Sequence, residues 1–156
     1  MCIRDSGGVG LSFVADFRVV SPETVFAVNF ARLGIHPGFA ITETLPPLVG
    51  QQAASHIMMT GRDVAGEEAV RIGMADRVVG PEEIRSKAHD LATELLAGAP
   101  LAVLSIRAKL RRGLGERVVT AMRHEAAEQT PLRFTEDFIE GVSAIRERRV
   151  PGWSGK

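Results

Sequence analysis

The sequence predicts an α/β fold whose strands lie in the first half of the chain and whose second half is helical. Two observations support this prediction. Before residue 80, short β-branched and aromatic runs alternate with short helical segments and glycine turns. After residue 80, apolar residues recur at helical spacing, with proline at helix starts and glycine at helix ends. We therefore expect a strand-containing core over residues 7–80 and a helical region over residues 81–156.

The first half of the chain contains short runs that are typical of strands, separated by helical segments. The predicted strands are residues 17–20, 25–28 and 75–79. Helices are predicted where glycine or proline bounds an apolar run. They are the run that ends at Asp16, residues 41–49 with an interruption at Pro46-Pro47, residues 51–60, and the segment closed by Gly73.

The second half is predicted to form four helices. The first begins at Pro81 and ends at Gly98, and the second begins at Pro100. The third covers residues 116–129, and Thr135 caps the fourth. The second helix is expected to turn one face inward and one face toward solvent: Leu101, Leu104, Ala108 and Leu110 inward, and Arg107, Lys109, Arg111 and Arg112 outward. Residues 151–156 are expected to form an exposed tail.

The charge balance limits the partners that the chain is expected to have. The 19 lysines and arginines equal the 19 aspartates and glutamates. The chain therefore lacks the basic excess that nucleic-acid and membrane-surface proteins use, and neither partner is expected. No apolar run has the length of a membrane span. The single cysteine, Cys2, allows no internal disulfide, which is typical of a reducing compartment and favours the cytoplasm.

Residues 1–6 are expected to be a non-native addition to a shortened reading frame. They contain no apolar core of a signal peptide. The pair Gly7-Gly8 follows them directly, with no strand to lead into it. We therefore leave residues 1–6 out of the predicted fold.

The Gly7-Gly8 pair is the first candidate for chemistry. Two glycines before an apolar run let the backbone turn tightly and leave bare N–H groups at a helix start. Such amides, aided by the helix dipole, can bind an oxyanion or polarise a carbonyl group. A glycine pair that only marks a turn is the alternative interpretation.

Several ordered segments carry a resemblance to a known family. They are Gly7-Gly8 with the run to Asp16-Phe17-Arg18-Val19, Phe26, Leu33-Gly34, Pro37-Gly38, Leu45-Pro46, Leu48-Val49-Gly50, Thr60-Gly61-Arg62, Glu67-Glu68-Ala69, Gly73, Asp76-Arg77-Val78-Val79, Thr135-Glu136-Asp137, Glu140-Gly141 and Glu147-Arg148-Arg149. Each is common alone, whereas the ordered set is specific. The chain resembles the crotonase superfamily, and within it the enoyl-CoA hydratase/isomerase family of fatty acid metabolism.

The resemblance implies a fold and a substrate class. The fold is the C-terminal part of a crotonase-like ββα spiral core, followed by a helical region, residues 81–156, that trimerises and covers the active site. The substrate is an acyl-CoA thioester, with coenzyme A as part of the substrate and no separate cofactor or metal. A complete protein would be a homotrimer or hexamer. The resemblance also implies that the first third of the family domain is missing, including one of two oxyanion-hole amides.

The resemblance assigns the remaining oxyanion-hole amide to Gly7, with Gly8 beside the substrate. Family hydratases hold and activate water with two glutamates. Here the corresponding positions are Gly10 and Phe30, which cannot move a proton. Neither the two-glutamate hydratase mechanism nor a one-carboxylate isomerase mechanism carries over to this chain.

Two other side chains could transfer a proton. His36 lies where the family backbone faces the substrate, and histidine titrates near neutral pH. Its alternative is a loop histidine that only packs. Glu43 follows on a predicted helix, where a solvated first-turn acid is the alternative. The resemblance places further substrate contacts at Phe30, Pro37, Gly38 and Arg148. Arg148 would reach coenzyme A phosphate, or else only stabilise a helix C-terminus.

Three functions remain open from the sequence. The first is an enoyl-CoA hydratase/isomerase-like lyase or isomerase that stabilises a thioester enolate. The second is a non-catalytic member that binds acyl-CoA or assembles with active homologues. The third is an enzyme of another reaction type, such as a thioester hydrolase or a dehalogenase-like enzyme, whose base lies in the missing segment. The three histidines outside the loop, His56, His89 and His124, show no metal-ligand spacing.

Overall fold

A computed structural model describes residues 6–156 of the chain. The helices are α1 (Ser6–Ser12), α2 (Ile41–Thr44), α3 (Pro46–Val49), α4 (Gln51–Thr60), α5 (Gly66–Arg71), α6 (Ile84–Leu96), α7 (Pro100–Leu110), α8 (Leu114–Leu132) and α9 (Glu136–Glu147). The strands are β1 (Val19–Val20), β2 (Val25–Ala27), β3 (Asp63–Ala65) and β4 (Arg77–Val78). Short 3-10 helices cover Phe30–Leu33 and Pro81–Glu83. The predicted N-terminal addition lies outside the described residues except for Ser6, which begins α1.

Most predicted elements are confirmed; the strands are shorter than predicted, whereas the helix predicted over 116–129 extends over Leu114–Leu132. The helix over 51–60 is as expected. The interruption predicted at Pro46-Pro47 lies one residue earlier, at Leu45, and the two prolines begin α3. The helix predicted to run to Asp16 ends at Ser12, so Asp16 lies in a turn. Strand β3 was not predicted, because its three residues include the charged Asp63 and carry little β pattern.

The strands form two pairs. Strands β1 and β4 are parallel, with Val19 opposite Arg77. Strands β2 and β3 are antiparallel, with Phe26 opposite Val64. All four described strands precede residue 80, and the described residues beyond Glu83 contain helices and connecting turns.

The hydrophobic core lies between the strands and the first five helices. Its members are apolar side chains that are almost wholly buried, and they include Val9, Phe13, Phe26, Val28, Phe30, Ile41, Leu45, Ala54, Ile57, Val64, Ala69 and Met74. Rings of Phe13 and Phe26 stack with centroids 6.4 Å apart. Val9 of α1 and Phe13 directly after it therefore belong to the same core as Phe26 of β2. This packing fixes the position of α1, and with it the positions of Gly7 and Gly10.

The buried Arg18 side chain joins the turn after α1 to the segment before β4. Its Nε donates to the Met74 carbonyl at 2.7 Å and its guanidinium to the Ala15 carbonyl at 2.9 Å. The backbone N–H of Arg18 donates to the Asp76 carboxylate at 2.6 Å. Burial lowers the pKa of Arg18, partly offset by Asp76. These bonds hold the parallel β1–β4 pair in register.

The prediction that the apolar face of α7 is turned inward is wrong. Leu101 is 83% exposed, and Leu104 and Leu110 are exposed as well. Helical spacing identifies an apolar face but not what covers it, and no described element covers this one. The basic residues face outward as predicted, since Arg107, Lys109 and Arg112 are exposed. Arg107 and the half-buried Arg111 also bind the Asp16 carboxylate, both at 2.8 Å.

Helix α9 packs against the 3-10 helix at Phe30–Leu33 through a glycine. The Thr135 hydroxyl accepts from the Phe138 N–H at 3.1 Å, which confirms the predicted cap. A Cβ atom added to Gly141 would lie 2.7 Å from the Leu33 carbonyl carbon, so the two backbones touch directly.

Replacing Gly141 with alanine is therefore expected to destabilise the protein by about 2 kcal/mol, because an overpacked contact between two backbones cannot relax by moving a side chain. The matched control is Gly115→Ala in α8, where a Cβ atom meets nothing within 4 Å. That control should stabilise by about 0.5–1 kcal/mol through helix propensity. Urea unfolding followed by circular dichroism measures both changes, and equal changes at the two sites would contradict the close packing.

The tail over residues 151–156 is exposed, as predicted, but it is also bonded to the start of α9. The Ser154 N–H and Gly155 N–H groups donate to the Asp137 carboxylate at 2.7 and 3.0 Å. The Gly152 N–H donates to Glu140 at 2.8 Å. Arg149 also binds Glu140, with a nitrogen–oxygen distance of 2.8 Å in one of its two contacts. We call these contacts the tail clasp.

The tail clasp is expected to open only in strong acid. Hydrogen bonds from Arg149 and then Gly152 lower the pKa of Glu140 from 4.5 to about 2. A lowered carboxylate pKa means that the stabilisation is complete above pH 4.5 and is lost as the pH falls through about 2. The fluorescence of Trp153, the single tryptophan, should change in that window. Glu140→Gln should show the changed emission already at neutral pH, and an emission change confined to pH 5–7 would contradict this assignment.

None of the helices in residues 6–156 is by itself both long and apolar enough to cross a membrane; Pro81–Leu96 and Pro100–Leu132 meet that test only together, across a bend of 107°.

Candidate active site

The first turn of α1 presents the amide proposed for the oxyanion hole. Within the described residues α1 begins at Ser6, so Gly7 lies inside the helix rather than before it, which corrects the predicted boundary. An N–H group in the first turn has no carbonyl within its own helix to bond. Gly7 and Gly8 are half-buried, and Gly10 on the next turn is buried. The role of Gly7 as an oxyanion-hole donor stays a prediction.

Phe39 lies directly against this face of α1. A Cβ atom added to Gly10 would be 2.4 Å from the Phe39 Cβ atom. One added to Gly7 would be 3.0 Å from Phe39 Cζ. The ring therefore runs along α1 from Gly10 toward Gly7, and 56% of Phe39 is still exposed. There is no room for a side chain at position 10 while Phe39 keeps this place.

The backbone that carries Phe39 is strained. Phe39 and Ala40 have φ angles of 59° and 54°, in the left-handed region that side chains with a Cβ atom rarely adopt. Such a conformation costs on the order of 1–3 kcal/mol per residue and persists only where other contacts impose it.

The contacts that impose it come from Glu125 of α8, which is only 1% exposed. The Ala40 N–H donates to its carboxylate at 2.7 Å. The Thr42 hydroxyl and N–H donate to the other carboxylate oxygen at 2.6 and 3.2 Å. A buried carboxylate that accepts these three bonds fixes the backbone on both sides of Ala40. Glu125 therefore joins the helical region to the candidate site.

His36 lies at the start of the same loop, half-buried. Its Nδ1 is 2.9 Å from the Pro37 carbonyl oxygen. A carbonyl only accepts, so Nδ1 donates this bond and Nε2 keeps its lone pair. The ring meets the edge of His124 with centroids 6.0 Å apart, and the Gln129 side-chain amide donates to the His36 carbonyl at 2.8 Å. His36 is thus held in the tautomer in which Nε2 can accept a proton.

His36 borders an open, mostly apolar pocket of 450 Å³. The pocket is lined by Ala31, Gly34, Ile35, His36, Pro37, Thr42, Met58, Met59 and Leu132. Pro37, a predicted substrate contact, lies in this wall. The volume is within the range of small-ligand sites, and its lining is mostly apolar.

Phe30 and Gly38, two predicted substrate contacts, are both buried. Phe30 is 5% exposed and belongs to the core. Gly38 is buried, and an added Cβ atom would lie 2.9 Å from the Gln129 amide nitrogen. Contact of either residue with a substrate stays a prediction.

Glu43 forms an exposed ion pair with α8. Its carboxylate lies 2.6 Å from the Arg117 Nε atom of α8. The pair lines a second hollow that also includes His124, the neighbour of His36. Glu43 lies in the first turn of α2, in agreement with the alternative of a first-turn acid, and the exposed ion pair reduces its availability as a base. Its catalytic role stays a prediction.

Arg148 ends α9 in the left-handed conformation, with φ 57°, and its side chain is exposed. Among residues 6–156 it forms no ion pair, whereas its neighbour Arg149 binds Glu140 and Glu147. Within those residues the structure therefore leaves the Arg148 charge available for a phosphate.

Two residues of the site were not found from the sequence. Phe39 belongs to no recognised motif, and the sequence marks it only as an aromatic residue between Gly38 and Ala40. Glu125 is one of several acids on α8, and only its burial separates it from the others. Within the described residues no group of three histidine, cysteine or acidic side chains could hold a metal ion.

Comparison with known proteins gives one consistent result. A model of the family described as enoyl-CoA hydratase/isomerase matches residues 4–156. The carnitinyl-CoA dehydratase of Citrobacter koseri is 35% identical over 155 residues, and that of Salmonella typhi is 34% identical. Both alignments cover 96% of this chain. The chain spans 59% of the length of these curated relatives.

Solved structures agree with the sequence relatives. An enoyl-CoA hydratase/isomerase from Pseudoalteromonas atlantica T6c superimposes with a TM-score of 0.80 at 26% identity, over 94% of this chain and 59% of that one. A carnitinyl-CoA dehydratase from Mycobacterium avium 104 gives a TM-score of 0.82 at 22% identity, over 97% and 60%. At that identity the second likeness concerns the fold alone.

Proposed function

The chain belongs to the enoyl-CoA hydratase/isomerase family and has the crotonase fold, and from this premise we propose that it binds an acyl-CoA thioester and stabilises the enolate of that thioester. Both curated relatives described above are named for a CoA thioester, which supports a thioester as the substrate. Coenzyme A is then part of the substrate, and no separate cofactor is proposed.

The observation that carries this proposal is the Gly7 amide in the first turn of α1. Loss of a proton from the carbon next to a thioester carbonyl moves the C–H electron pair onto the carbonyl oxygen. A backbone N–H fixed at that oxygen stabilises the new charge more than it stabilises the neutral carbonyl. The dipole of α1 adds to this effect, although the helix has only two turns.

We propose His36 as the proton-accepting group within this chain. The Pro37 carbonyl fixes Nδ1 as the donor, so Nε2 is the atom that would take and return the proton. Glu43 is the weaker candidate, because Arg117 already neutralises its carboxylate. Gly10 and Phe30 carry no carboxyl group, so hydration by a pair of glutamates is not proposed.

The helical region is proposed to assemble the complete protein as a homotrimer or hexamer. The exposed apolar face of α7, which includes Leu101, Leu104 and Leu110, supports this proposal. Arg148 is proposed to bind coenzyme A phosphate, since its charge is unpaired within residues 6–156.

The proposed function is tested by incubating the protein with saturated and unsaturated acyl-CoAs in deuterated buffer. Loss of the enoyl thioester, or deuterium incorporation next to the carbonyl, is the expected result. Binding without either change would favour a non-catalytic member of the family. Release of free coenzyme A would instead favour a thioester hydrolase. A protein that neither bound an acyl-CoA nor reacted with it would refute the proposal.

A further inference from the structure

We propose that Phe39 is a specificity-determining residue of this site, whose ring selects acyl groups with an apolar chain and keeps water from the face of α1 that bears Gly7 and Gly10. The inference rests on the proposed function, because it places the acyl chain beside the Gly7 amide.

The ring is in position for this role. Its Cβ atom lies 2.4 Å from the place of a Gly10 Cβ atom, and its Cζ atom lies 3.0 Å from the place of a Gly7 Cβ atom. The tip of the ring is therefore the part that lies against Gly7. A carbonyl oxygen held by the Gly7 N–H would leave its acyl chain beside a flat apolar surface.

Strain and exposure together argue against a purely structural role. A phenylalanine that only filled the core would be buried, as Phe13 and Phe26 are, whereas Phe39 is 56% exposed. It also keeps a φ angle of 59°. Left-handed residues cluster at sites that bind ligands, where the surrounding structure imposes the conformation.

Glu125 is the positioning residue in this arrangement. Its carboxylate binds the Ala40 N–H and the Thr42 hydroxyl, directly after Phe39 in the chain. It touches neither Gly7 nor Gly10 in the bonds described, so it acts on the site only through the backbone of this loop.

The ring also accounts for the glycine at position 10. A carboxylate there would need a side chain where the Phe39 Cβ atom lies. The structure thus replaces a water-holding group by an apolar wall, and an apolar wall favours burial of an apolar chain over a bound water.

The test measures the dissociation constants of acetyl-CoA, hexanoyl-CoA and free coenzyme A by calorimetry. Wild-type protein should prefer hexanoyl-CoA to acetyl-CoA, and Phe39→Ala should reduce that preference about tenfold, the order expected for lost apolar contact in a pocket. The affinity for free coenzyme A should not change. Phe134→Ala, which removes an 85% exposed ring outside the site, should leave all three constants unchanged.

A second pair of variants separates positioning from folding. Phe39→Leu keeps an apolar side chain without the flat ring and should give an intermediate preference, and it carries the test if Phe39→Ala fails to fold. Glu125→Gln should reduce the hexanoyl preference without changing free coenzyme A binding, and the double variant with Phe39→Ala should lose nothing more.

The outcomes distinguish this inference from the function on which it rests. An unchanged hexanoyl-to-acetyl ratio in folded Phe39→Ala and Phe39→Leu would overturn the role of Phe39 and leave the proposed function intact. Wild-type protein that binds none of the CoA compounds would overturn both.

Discussion

Replacing Glu125 with alanine is expected to lower the free energy of unfolding by about 3 kcal/mol, the scale of removing a buried partner of charge-assisted hydrogen bonds. The carboxylate accepts from the Ala40 N–H and from two groups of Thr42. Without it these donors stay buried or the loop must rearrange, and the left-handed pair Phe39-Ala40 loses the contacts that hold it. Urea unfolding followed by circular dichroism measures the change.

Glu128→Ala is the matched control for this change, since Glu128 lies one turn later on α8 and is exposed. Both substitutions alter helix propensity equally, so the difference between them reports the buried contacts. Glu125→Gln keeps one carbonyl oxygen as an acceptor and should lie between wild type and Glu125→Ala. A loss in Glu125→Ala no larger than in Glu128→Ala would show that the loop does not depend on this carboxylate.

Replacing Gly7 with proline is expected to reduce kcat/KM for the proposed enolate chemistry about a hundredfold, the effect of losing one oxyanion-hole donor. Proline removes the N–H group, yet the first turn of a helix accepts proline without losing an internal hydrogen bond. The helix should therefore persist while the amide is absent. Enoyl thioester consumption, or deuterium exchange beside the carbonyl, gives the rate.

The control for Gly7→Pro is Gly7→Ala, which adds the same Cβ atom against the Phe39 ring but keeps the N–H group. Only the difference in rate between the two variants measures the contribution of the Gly7 N–H donor. The alanine variant should keep most of the rate, because Cζ of Phe39 is the movable end of a side chain. Equal rates in the two variants would remove Gly7 from the mechanism.

The local elements could be read from the sequence because their signals are local. Gly61 ends α4 with φ 60°, Pro46 begins α3, and Thr135 caps α9 with its hydroxyl. In each case the backbone requirement is met by a residue within a few positions, so a pattern of neighbours is enough.

The contacts that build the site could not be read in the same way. Glu125 binds Ala40 across 85 residues, and Arg111 binds Asp16 across 95. No local pattern marks which acid of α8 will be buried, or that Phe39 will fill the space left by Gly10. The same limit explains the error on α7, where helical spacing predicted an inward face that no described element covers.

The nesting of the two strand pairs has a consequence for the order of folding. Strand β2 follows β1 and β3 precedes β4, so the antiparallel pair lies inside the loop that the parallel pair closes. Forming the inner pair first shortens the loop left to close, which lowers the entropy lost in bringing β1 to β4. Changes at the inner pair should therefore slow folding. Changes at the Arg18–Asp76 contact, which forms with the outer pair, should mainly speed unfolding.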